Sequence, residues 1–69
     1  MEKMFQAKVW AVFVAGNLEG LDNNYTLTYP VSSLQRVRNA LAADIASMRV
    51  IKTYGSSYVI RDFEITIVE

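Results

Sequence analysis

Between Met4 and Ala15, hydrophobic residues occupy both parities of a period-2 count. Phe5, Ala7, Val9, Ala11, Phe13 and Ala15 form one wholly apolar row; Met4, Gln6, Lys8, Trp10, Val12 and Val14 form a second that turns apolar after Lys8. Two apolar rows mark an interior strand covered on both sides for part of its length. The stretch GNLEGLDNN then breaks the pattern with glycine, asparagine and aspartate, and predicts a long, mobile connection. In YTLTYPV, Tyr25, Leu27 and Tyr29 alternate with Thr26 and Thr28, as in a half-buried strand. Pro30 cannot donate to a ladder, so this strand ends there or lies on an edge.

From Ser33 to Met48 the period changes. Leu34, Val37, Leu41, Ile45 and Met48 recur at spacings of three and four, one stripe of an amphipathic helix. Two further strands, RVIKTY and YVIRDFEITIV, flank a short hairpin loop at Gly55, Ser56 and Ser57. In the last strand Val59, Arg61, Phe63, Ile65 and Ile67 share one parity, and Tyr58, Ile60, Asp62, Glu64, Thr66 and Val68 the other. The order β-β-α-β-β predicts an α+β fold: a single domain over residues 1–69, with a four-stranded, mainly antiparallel sheet and one helix packed on one face.

One helix leaves the other sheet face uncovered. That face is expected to carry Met4, Trp10, Val12, Val14, Ile60 and Val68, interrupted by Gln6, Lys8, Asp62 and Glu64. Apolar patches of this kind mark interaction sites. The outer side of the helix presents Ala40, Ala42, Ala43 and Ala46, which suits helix propensity and also close packing against a second helix. Trp10, Val12, Val14, Ala40, Ala43 and Ser47 are therefore the candidate interface of a homo-oligomer, a two-fold dimer or higher. Size supports this. A chain of 69 residues buries only ~60% of its unfolded surface. With no cysteine or histidine, disulfides and the commonest metal sites are not available to reinforce it.

Seven basic and seven acidic residues cancel, which argues against duplex nucleic acid as a partner, because phosphate contacts need a basic excess. The apolar run Val9–Ala15 follows Lys8, but it is short and reads as a strand, not a signal peptide. No segment approaches the ~20 apolar residues that span a bilayer. No membrane partner is expected, and the location expected is cytoplasmic.

Chemistry is sparse. Without histidine or cysteine the usual nucleophile–base pairs are missing, so no enzyme activity and no cofactor is expected. Asp62 and Glu64 project from one strand face ~7 Å apart, a spacing that could serve a metal-dependent hydrolase; cross-strand pairing with Lys8 or Lys52 is the simpler reading. Glu19, Asp22 and the loop asparagines lack the spacing of a calcium loop. Trp10, Tyr25, Tyr29, Tyr54 and Tyr58 could stack nucleobases or serve core and interface.

The stretch YPVSSLQRVR, Tyr29–Arg38, is the most suggestive. Ser32 as N-cap would place Gln35 at the third helical position and complete a capping box. Arg36 stands one turn later on the outer face, where a cation is unfavourable with the helix dipole unless an anion lies between. Ser32, Ser33, Arg36, Tyr29 and Tyr25 are accordingly the candidate ligand-binding residues. The expectation is a non-enzymatic, oligomeric binding protein holding a phosphate-bearing small molecule or nucleotide where subunits meet. Its size suits a small viral inhibitor that sequesters signalling nucleotides or blocks host defence proteins. The alternative is a protein–protein interaction or inhibitor module acting on a protein target through an edge strand or the apolar sheet face.

Overall fold

The computed structural model describes residues 2–68. Strands and helix follow the expected order: β1 (Met4–Gly16), β2 (Tyr25–Pro30), α1 (Leu34–Ala46), β3 (Ile51–Thr53) and β4 (Ser56–Val68), with a 3-10 turn at Val31–Ser33 leading into the helix. The sheet is antiparallel throughout, in the order β2-β1-β4-β3. The α+β reading of the sequence holds.

β1 and β4, 13 residues each, pair along their whole length. At ~3.3 Å per residue such a ribbon runs ~43 Å, close to the 41 Å long axis of a molecule measuring 41 × 20 × 17 Å. Its flanking strands are short. β2 pairs with Met4–Val9 of β1, and β3 with Ser56–Tyr58 of β4. The 13-residue helix reaches only ~20 Å, so it covers about half of the ribbon. Beneath it lie Phe5, Ala7, Val9, Ala11 and Ile60, closed by Leu41 and flanked by Leu27, Leu34, Val37, Ile45, Phe63 and Ile65.

Ile60 departs from the parity read in the sequence. Trp10 pairs with Asp62 but Ala11 pairs with Ile60, so Arg61 is an extra residue in β4. The bulge shifts the alternation by one. Tyr58 and Ile60 before it share the helix side with Phe63, Ile65 and Ile67 after it, and Val59 passes to the open face opposite Val12. The open apolar patch therefore contains Val59 where Ile60 was expected, and Ile60 is 95% withdrawn from solvent (5% exposed). A second shift leaves Val14 unpaired in β1, between Phe13–Tyr58 and Ala15–Ser57.

Three other expectations change. The connection after β1 is tied down: Phe13 N–H donates to Leu21 O (2.9 Å), Gly20 N–H to Phe13 O (2.9 Å) and Asn23 N–H to Ala11 O (2.8 Å). Main-chain polarity explains this, because the far half of β1 extends beyond β2 and needs partners of its own. The β3–β4 turn is Tyr54–Gly55, with β4 beginning at Ser56. Gly16 (φ +90°) packs against that turn, and a Cβ at Gly16 would lie 2.3 Å from Gly55 O. Finally, the helix ends before Met48. Met48 N–H bonds Ile45 O and Arg49 N–H bonds Asp44 O, a left-handed C-terminal closure with Met48 at φ 54°. Met48 thus leaves the core stripe and is exposed.

Candidate functional site

At the start of α1 the capping box does not form. The helix cap is Ser33 in a helical conformation, and no cap side chain bonds the backbone. Gln35 Nε2 instead donates to Asn39 Oδ1 (3.0 Å). Arg36 Nη2 donates to Ser33 Oγ (3.3 Å), and Ser32 N–H donates to Glu2 Oε2 (2.7 Å). The chain's own carboxylate thus occupies the oxyanion position that the 3-10 turn offers, and the charge-assisted bond is of the strong kind. Glu2 carried no signal in the sequence, since only the fold brings it to residue 32.

The tyrosines do not converge there. Tyr29 pairs with Phe5 (ring centroids 6.2 Å), whereas Tyr25 sits four residues back along β2, ~13 Å away. Tyr25 packs edge-on against Tyr58 at 6.2 Å, with the two hydroxyl oxygens 3.5 Å apart. Burial first, then the bond to Tyr58, pushes the Tyr25 hydroxyl above its ordinary range. Trp10 lies on the opposite face with Lys8 Nζ 5.5 Å above its ring, and Tyr54 stands fully exposed at the β3–β4 turn. The aromatics are divided between two faces and a tip and make no common stacking platform.

The carboxylates resolve similarly. Glu64 lies directly opposite Lys8, while Lys52 is opposite Ser57. Asp62 Oδ1 accepts the N–H of Phe63 at 2.8 Å. Among the described residues no three acidic, cysteine or histidine side chains gather as a metal site. Of the six candidate interface residues, Ala40, Ala43 and Ser47 lie exposed along α1, Trp10 and Val12 are half-buried on the open face, and Val14 is exposed beside the helix end.

The feature missed in the sequence is the outer edge of β4. β3 stops at Ile51, opposite Tyr58, so among the described residues no strand lies against Val59–Val68 on the side away from β1. Which backbone groups face outward follows from β1. Ala11 and Phe13 direct their backbone to the connecting loop. By alternation Trp10, Lys8 and Gln6 direct theirs to β4, and are met there by Asp62, Glu64 and Thr66. Phe63, Ile65 and Ile67 therefore turn N–H and C=O outward, while their side chains lie on the helix side.

Where the edge begins there is an apolar groove of about 540 Å³, lined by Val14, Ile45, Met48, Val50, Val59 and Ile60 with Arg61. Met48 is 76% and Val50 54% exposed, so two large apolar side chains stand in water beside a free strand edge. A sequence cannot show which strand lacks a neighbour, because the length of β3 is set by where the chain leaves α1.

No protein-family model, curated protein or solved structure matches this chain. No helix among the described residues is long and apolar enough to cross a membrane.

Proposed function

We propose that this chain is a non-enzymatic interaction module that accepts an extended polypeptide segment along the free edge of β4. The observation that carries the reading is the outward set of backbone donors and acceptors at Phe63, Ile65 and Ile67, with apolar side chains of the same residues alongside. A free edge is a template for strand addition, in which main-chain bonds give affinity and alternate side chains give selectivity. Each added bond contributes roughly 0.5–1.5 kcal/mol net. The groove at the head of the edge adds apolar surface to the same site. Sequestration of a phosphate-bearing ligand requires an empty anion position with aromatic neighbours. The Glu2 carboxylate stands at that position, and Tyr25 stands at the far end of β2, so the edge is the better-supported site.

The test is a display selection of extended peptides against the folded chain, repeated with Ile67→Pro. The Ile67 N–H points away from β1, so proline there removes an edge donor and leaves the β1–β4 ladder its bonds. Segments of alternating apolar and polar residues are expected to bind the wild type and lose binding to the variant. A folded chain that neither enriches a binder nor associates with itself overturns the proposal.

A further inference from the structure

The β4 edge is not equally suited to every strand, and the register it permits identifies one. A two-fold axis normal to the sheet would place β4 antiparallel to the β4 of a second copy, with both helices on the same face. Residues facing outward must meet residues facing outward, so only registers that keep the alternation are available. Each has a consequence that can be read from the chain.

Centring the axis on Phe63 sets Asp62 opposite Glu64 of the other copy, twice. It also brings the far Val68 against Tyr58, a position already held by Ile51 of β3. Centring it on Glu64 sets the two Glu64 carboxylates face to face in a non-hydrogen-bonded pair, where side chains are closest. Like charges directly opposite are destabilising. Centring it on Ile65 leaves no like charges directly opposite and no overlap with β3. Ile65 meets Ile65, Phe63 meets Ile67, Glu64 meets Thr66 and Asp62 meets Val68, and the overlap ends before β3. A centre at Thr66 also avoids like charges but shortens the ladder.

We propose that the occupant of the β4 edge is a second copy of this chain, paired antiparallel about a two-fold axis at Ile65 to give a continuous eight-stranded sheet. The inference rests on the edge reading above and adds the partner and the register. In that register Phe63, Ile65 and Ile67 exchange main-chain bonds with Ile67, Ile65 and Phe63 of the other copy. Their side chains form one apolar row on the helix side, where Ile67 is 44% exposed in the single chain. Phe63 N–H exchanges its local acceptor, Asp62 Oδ1, for the far Ile67 carbonyl. The outward carboxylate of Asp62 guards the edge of the unpaired chain, as charged residues commonly do on free strands.

The chain contains no cysteine, which makes the register directly measurable. Single cysteines are placed at Phe63, Glu64, Ile65, Thr66 and Ile67 in turn, and disulfide formation is followed under mild oxidation. Only a residue on the axis faces itself. At a Cα separation of ~5.5 Å for a hydrogen-bonded pair, Ile65→Cys falls in the range of a disulfide, and it is expected to cross-link dominantly. Phe63→Cys and Ile67→Cys are expected to cross-link poorly alone and readily when mixed with each other. Sedimentation of the unmodified chain is expected to give twice the 7.8 kDa chain mass, falling to the single mass in Ile67→Pro. Circular dichroism confirms that each variant is folded.

A cross-linking maximum at Glu64 or Thr66 overturns the register. A dimer that persists in Ile67→Pro places the contact elsewhere and overturns the inference, while the peptide selection still decides the edge reading. A wild-type monomer at micromolar concentration overturns the second-copy inference, while the peptide selection still decides the edge reading.

Discussion

Individual residues carry three testable consequences. Met48 holds a left-handed conformation that costs a non-glycine residue ~1–2 kcal/mol, and its side chain is mostly in water. Met48→Gly is expected to raise stability by about 1 kcal/mol, read from urea melts; a loss would mean that the side chain holds the groove together. Tyr25 behaves differently. Its hydroxyl is pushed above the ordinary value of 10.0 by burial and by Tyr58, so the folded chain holds that proton more tightly than the unfolded one. Its contribution is complete below pH 10 and declines above it as the unfolded chain begins to ionise. Melts repeated above pH 10 should show this decline, and Tyr25→Phe should flatten it. The hydroxyl is partly exposed, which keeps the effect small. Asp62→Ala removes the carboxylate that caps Phe63 N–H, and on the two-fold pairing proposed above it should shift dimer dissociation to lower concentration in sedimentation. Weaker association would show that Asp62 contributes to pairing.

At the scale of elements, the helix stripe from Leu34 to Ile45 and the alternation of β2 were legible because each element follows one period from end to end. β4 was not, because it changes phase in the middle. A period-2 count through Arg61 assigns Val59 to the core and Ile60 to the open face, and the bulge reverses both. Ile60→Ala is therefore expected to cost ~2–4 kcal/mol as a buried truncation, and Val59→Ala about 1 kcal/mol; a larger cost for Val59→Ala in thermal or urea unfolding would argue for an unbulged strand. The capping box was misread for a related reason. Ser32 and Gln35 have capping-box spacing, but the chain enters α1 through a 3-10 turn at Val31–Ser33. That turn moves the cap to Ser33 and presents Ser32 N–H to Glu2. Spacing along a chain registers neither an extra residue in a strand nor a partner thirty positions away.

For the molecule as a whole, the arrangement of β1 and β4 bears on how the fold is reached. The first strand and the last are neighbours along their entire length, and β1 is shielded on its other side only by β2 and the loop before it. Phe5 and Val9, both at 0% exposure, lie opposite Ile67 and Phe63, which arrive late in the sequence. A chain still growing from a ribosome would lack the β4 side of this core until β4 emerged. Long-range pairing of this kind pays its loop-closure entropy before any contact repays it, and it is associated with folding in milliseconds to seconds. Stopped-flow refolding should give one phase in that range, and a microsecond phase that completes the core would mean that β1, β2 and α1 can fold before β4 arrives.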